Sequence, residues 1–147
     1  MQSKLLADND GQRTFAVVLE TGDSVLACLS DFAERERLTA SQFTAIGAFS
    51  DAEMRYFDWE AKAYCPIPVR EQVEVASLNG DVALAPDGNR AIHMHAVLGR
   101  RDGSAIAGHL ADAHVRPTLE IVLTESPAHL SKTHDPATGL MLIHPAK

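Results

Sequence analysis

Cysteine is scarce in this chain. Cys28 and Cys65 are the only two, and they stand in no CxxC or zinc-finger spacing. Neither a disulfide framework nor a thiolate metal module can organise such a fold, and free thiols suit a reducing compartment. Long apolar runs are missing as well. No stretch approaches the ~20 residues of a membrane span, and the opening MQSKLLADND has no apolar core of the kind an export signal needs. A cytoplasmic location and no membrane partner are the expectations. The third shortage is basic charge. Thirteen Lys and Arg face 20 Asp and Glu, for a net charge of -7. A domain that binds duplex nucleic acid alone presents a basic face, because phosphate neutralisation supplies most of the non-specific affinity. Here Arg100 and Arg101 are adjacent, but Asp102 follows, and there is neither a basic run nor an RGRP-like element. Autonomous DNA binding is disfavoured.

What remains is an ordinary globular composition, 46% hydrophobic and 22% charged over 147 residues. That length suits one domain with a real core. Residues 1–12 are polar and read as a frayed start or a short edge strand. RTFAVVLE (13–20) is rich in β-formers. The period then changes: in TGDSVLACLSDFAERERL, Val25, Leu26, Leu29, Phe32 and Ala33 recur at helical spacing. This predicts an amphipathic helix opening near Asp23 or Ser24, either of which can accept from free backbone N–H groups, with Cys28 on the flank of the apolar stripe. Period two returns in SQFTAIGAFS, EMRYFDW and EQVEVASL. Asn79-Gly80, Asp87-Gly88 and Asp102-Gly103 read as three successive turn signals. VRPTLEIVLTE (115–125) is the last strong strand, and residues 126–147 form a tail with only GLMLIH to anchor it. The expected fold is a single α+β domain with its core over about 13–125. One main helix packs on a curved, mixed, largely antiparallel sheet of six to seven strands.

The histidines carry the chemistry. In NRAIHMHAVLGRRDGSAIAGHLADAHV, His93 and His95 are two apart and share a strand face. If Arg101, Asp102 and Gly103 form a three-residue loop, His95 faces His109 across the hairpin and His93 faces Ala111. Directly opposed side chains stand about 4.5–5.5 Å apart at Cβ, close enough to share a metal. A two-residue loop would turn His109 to the other face, so the metal reading depends on one residue of register. Three imidazoles suit Zn²⁺ or another divalent first-row ion and leave a position open for water or a ligand oxygen. The plainer alternative has the three hydrogen-bonding separately on a polar sheet face. Gly108 would let a neighbouring backbone approach closely. His114, at a presumed next turn, and His129, His134 and His144, in the tail, read as solvated or capping residues. Glu120, within the apolar run TLEIVL, is the one catalytic candidate. Facing outward it is a routine charge; on the histidine face it is an orienting group or general base.

Taken together, LETGDSVLACLSDFAERERLTASQFTAIGAFSDAEMRYFD, VASLNGDVAL and HMHAVLGRRDGSAIAGHLADAHVRPTLEIVL resemble the plant and prokaryote conserved (PPC) domain family in its stand-alone prokaryotic form. The resemblance spans roughly residues 15–125. It implies a curved sheet with one main helix, a fold similar to that of α-acetolactate decarboxylase, a homotrimer, and metal ligation, usually of zinc, by His93, His95 and His109. Family members that contact DNA do so chiefly through AT-hooks, and this chain has none.

Three functions are consistent with this reading. The first is a ligand-binding or regulatory protein with a three-histidine metal site and a small-molecule ligand at the metal. The second is a metal-dependent lyase or hydrolase, with Glu120 or another group moving the proton. The third is a DNA-associated regulator acting without an AT-hook. One helix shields only part of one sheet face, while FTAIGAF and AIAGHLA are apolar or small on both sides. The other face is expected to be covered by partner subunits or, alternatively, by the tail folding back.

Overall fold

The computed structural model describes residues 1–145. Its backbone runs β1 (Gln2–Asn9), β2 (Gln12–Glu20), α1 (Val25–Arg35), β3 (Ala40–Asp58), β4 (Ala63–Val69) and β5 (Val73–Leu84). It continues as β6 (Arg90–Gly99), β7 (Ala105–Glu125), β8 (Ser131–His134) and β9 (Met141–His144). All nine strands belong to one sheet. The pairing is antiparallel apart from a parallel bridge between Leu84 and Ser131. A mixed, largely antiparallel α+β sheet with one main helix is thus present. It has nine strands rather than six or seven because β4 and the tail hairpin β8–β9 join it, and because residues 2–9 pair along β2 as an edge strand.

Two long strands organise the sheet. β3 and β7 pair from Ser41↔Glu125 to Arg55↔His109, with register shifts after Gly47, Phe49 and Glu53. Such irregularities add local bend and twist, and they let β3, β5, β6 and β7 close on one another, each pairing with the next. Met54, Leu78, Met94, Leu98 and Leu110 from these four strands are fully buried. On β6 the burial alternates, so that Met94, Ala96 and Leu98 face the core while His93, His95 and Val97 face away.

The helix covers the rest of the core. Ser24 is its N-cap, its hydroxyl accepting from the Ala27 N–H at 3.2 Å. That hydroxyl also donates to Asp112 of β7, whose carboxylate accepts from the Leu26 N–H at 3.0 Å. A carboxylate at the first turn meets free N–H groups and the positive end of the helix dipole. Val25, Leu29, Phe32 and Ala33 are buried, and Phe32 meets Phe15 edge to face at 5.3 Å. Cys28 flanks this stripe, half-buried against the core.

Some sequence signals lead elsewhere. Asn79-Gly80 is not a turn: both residues lie inside β5, opposite Thr44 and Phe43. Here glycine serves packing. A Cβ on Gly80 would stand 2.3 Å from Phe43 Cζ and 2.7 Å from the His93 carbonyl oxygen. Likewise, residues 105–125 form one strand, so His114 is not at a turn. It stands in β7 and meets Asp51 of β3 at 2.9 Å. The Asp87-Gly88 and Asp102-Gly103 signals do mark turns.

Because the Phe43 ring fills the space beside Gly80, Gly80→Ala overpacks a half-buried position. The expected loss is about 1–3 kcal/mol of stability, whereas Gly88→Ala meets no atom within 4 Å and costs only its backbone strain. Urea denaturation of the two variants separates them, and an equal cost would remove this role for Gly80.

Candidate metal centre

The hairpin register decides whether the histidines meet. The Arg100 N–H donates to the Ser104 carbonyl at 2.8 Å, closing a three-residue loop over Arg101, Asp102 and Gly103. His95 is then the direct partner of His109. His93 does not continue this ladder opposite Ala111. The β6–β7 pairing ends at His95, and His93 pairs across β5 with Asp81. Beyond His109, β7 leaves β6 and continues along β3, with β2 joining its other edge from Thr118.

Gly108 allows that crossing. A Cβ there would stand 2.7 Å from the carbonyl oxygen of Arg55, so any larger residue would push β7, and His109 with it, away from β3.

His93, His95 and His109 each offer a ring nitrogen, and these atoms lie within 4.8 Å of one another. The Nε2 atoms of His93 and His95 are 3.1 Å apart. The His93 and His109 rings stack at 5.2 Å, and Tyr64 of β4 lies against the other side of His109 at 4.8 Å. His109 Nδ1 is buried without a hydrogen-bond partner, an arrangement that costs free energy unless something meets the lone pair.

Burial lowers the pKa of His95, with His93 adding to the effect. Burial also pushes His109 down to about 4, helped by His93, His95, Arg55 and Lys132. Both rings are therefore held neutral at pH 7, the form in which imidazole ligates a metal. Among the described residues this is the one cluster of His, Cys, Asp or Glu with such convergence. Three neutral imidazoles and an orphaned nitrogen fit a divalent first-row ion.

Behind the cluster stand two residues that spacing did not reveal. Asp81 lies 3.4 Å from His93 Nδ1, a position from which a carboxylate fixes the tautomer that leaves Nε2 free. Lys132, from the tail strand β8 and only 5% exposed, places its ammonium 2.6 Å from the same carboxylate. Burial opposes charge on Asp81, but His93 and Lys132 outweigh it and hold the carboxyl below its ordinary range. The signal for Asp81 was cross-strand register, legible only once Asn79-Gly80 is placed inside a strand. For Lys132 the sequence carried no signal.

Glu120 belongs to a different place. It is exposed, between Val18 and Ile46 on the neighbouring strands, and is not among the residues lining the histidine cavity. The remaining histidines also lie outside the cluster: His114 pairs with Asp51, His129 with the Thr39 hydroxyl at 3.0 Å, and His134 and His144 are exposed on the tail hairpin. At the hairpin tip, Arg100 pairs with Glu71 at 3.1 Å.

The three histidines open onto a cavity of about 520 Å³. Phe57, Tyr64, Ala91 and Ile92 form one part of its wall, and Leu140 to Ile143 of the tail another. No helix of the described residues is long and apolar enough to cross a membrane.

The family model described as the Plants and Prokaryotes Conserved (PCC) domain matches residues 7–127. Solved structures similar to this chain include a metal-containing protein from Archaeoglobus fulgidus. It is 31% identical with a TM-score of 0.83, over 89% of this chain and 92% of that one. Another is a plant- and prokaryote-conserved (PPC) protein from Pyrococcus horikoshii, 28% identical with a TM-score of 0.84, over 99% and 96%. A protein from Staphylococcus aureus similar to α-acetolactate decarboxylase shares the fold alone, at 15% identity and a TM-score of 0.55, over 76% of this chain and 51% of that one. Comparison with curated proteins gives no match.

The depressed histidines make acid stability a test of the site. In the metal-free protein His109 takes up its proton near pH 4, against ~6.5 in the unfolded chain. The unfolded state binds that proton first, so stability is retained above about pH 6.5 and lost as pH falls towards 4. Urea midpoints measured in chelator should drop across this window, and His109→Gln should flatten the drop. An unchanged slope in the variant would remove the burial argument.

Proposed function

The chain belongs to the Plants and Prokaryotes Conserved (PCC) domain family, and from that premise we propose that it is a metal-dependent ligand-binding protein. His93, His95 and His109 hold one divalent first-row ion, zinc by the chemistry of the donor set. The observation that carries this reading is the convergence of three imidazole nitrogens within 4.8 Å on the wall of a 520 Å³ cavity. Three protein ligands leave a position for a ligand oxygen, and the cavity has the size of a small-molecule site.

When bound, the ion supplies Lewis acidity to an oxygen at that open position. The chain's own residues do the rest. Asp81 orients His93 through Nδ1, Lys132 balances the Asp81 charge, and Tyr64 supports the ring of His109. The tail hairpin and Phe57 supply apolar wall to the cavity.

The cavity also favours a second reading, a metal-dependent lyase or hydrolase. Binding is better supported, because Glu120 does not line the cavity and Asp81, the one carboxylate that does, is engaged by His93 and Lys132. A DNA-associated role has less support: the net charge is -7 and Arg100 is neutralised by Glu71. A reducing, cytoplasmic setting agrees with two free cysteines.

We further propose that the chain works as a homotrimer. On the outer face of β2, β7 and β3, Ile46 is 61% and Val122 53% exposed, beside Ala16 and Val18. The tail does not cover these residues; it lies over the histidine cavity. A partner subunit is the cover that suits a sheet face on which Ile46 and Val122 surround one exposed carboxylate, Glu120.

Two measurements test these readings. Metal analysis of tag-free protein should find about one ion per chain, strongly reduced in His95→Ala and unchanged in His134→Ala; equal content in the two variants would exclude the triad as the site. Light scattering at dilute concentration should give three times the chain mass, with Ile46→Asp shifting it towards the monomer. A monomeric wild-type mass, stable on dilution, would reject the trimer.

A further inference from the structure

The charge of the cavity limits what can enter it. Among its lining residues the ionisable groups besides the triad are Asp81, Lys132 and the Tyr64 phenol. Asp81 and Lys132 cancel each other at 2.6 Å. Imidazole binds a metal in its neutral form, so the triad contributes three ligands without charge. A divalent ion on three neutral imidazoles therefore keeps its full double charge, with no free carboxylate among the described residues of the wall. The rest of the wall is Phe57, Ala91, Ile92 and the tail segment from Leu140 to Ile143. An uncompensated charge beside an apolar wall is costly unless an opposite charge pairs with it.

From this we propose that the cavity takes a small monoanionic oxygen ligand with an apolar body, a monocarboxylate whose hydrocarbon chain lies along Ile92 and the tail. The proposal rests on the metal reading above and adds the class of ligand. The carboxylate fills the position that the histidines leave open, and the hydrocarbon replaces water against the apolar wall. Amines are excluded by charge. Dicarboxylates are disfavoured because the described residues of the wall offer the second charge no free cation: Lys132 is 5% exposed and already paired. The tail segment supplies selection by length, and it is well suited to a test. Leu142 is 44% exposed, so Leu142→Ser changes the wall without opening the core.

The experiment is calorimetric titration of tag-free, zinc-loaded protein of measured metal content with acetate, butyrate, hexanoate and octanoate, and with hexanol and hexylamine as controls. Affinity should rise by roughly two- to fourfold per added methylene until the wall is covered. Hexylamine should not bind, hexanol should bind at least tenfold more weakly than hexanoate, and chelator should abolish binding of the whole series. Leu142→Ser should flatten the dependence on chain length from butyrate to octanoate. Protein that carries zinc but binds the acids without regard to length, or binds hexylamine as well as hexanoate, would overturn the ligand class and leave the metal reading intact. Protein that takes up no metal would overturn both.

Discussion

The antiparallel pairing of β3 with β7 is the constraint on which the rest depends. β2 and β6 attach to β7, β4 and β5 attach to β3, and the helix is capped by Asp112 from within β7. At one end of this pair the buried carboxylate of Glu125 accepts from the Thr39 and Ala40 N–H groups and from the Ser41 hydroxyl. At the other end His109 faces Arg55 across one ladder and His95 across the other. The position of His109 is therefore a property of two strand registers at once. Side chains in a strand change face with every residue, so a slip in either ladder would disperse the cluster.

Much of this was legible in the sequence, for identifiable reasons. The amphipathic helix announces itself through Val25, Leu29, Phe32 and Ala33 and through a serine cap, all local signals. The pairing of His95 with His109 was legible as the three-residue-loop case of the hairpin, because a hairpin's register is set by its turn, and the fold takes that case. The family was also legible, since the histidine pair, GHL and the Glu-containing strand recur in one order. What failed was non-local. Asn79-Gly80 has the composition of a turn, yet the Phe43 ring on the neighbouring strand claims the space that a side chain at 80 would fill. Tertiary packing overrode local preference there, and it removed the register that would have shown Asp81 opposite His93. Lys132 was harder still, because it reaches the site through one parallel bridge between β5 and β8.

The polar groups around the histidines divide the work by burial. His114 and Asp51 form an exposed pair: the one hydrogen bond that the imidazole donates to the carboxylate lowers the pKa of Asp51 and raises that of His114. Solvent screens such a pair, and its contribution to stability is small. Asp81 and Lys132 are shielded, and removing either would strand a charge away from water, which is far more costly. One contact is surface chemistry. The other is part of the wall of a cavity.

That wall is made from the chain's own C-terminal segment, which gives the site a reciprocal relation to its cover. Lys132 ties the tail to Asp81, and Asp81 touches His93. Whatever binds better at the histidines when the tail is in place must, by the same factor, hold the tail in place. The hairpin is thus a boundary of the site whose own stability is linked to the occupancy of that site.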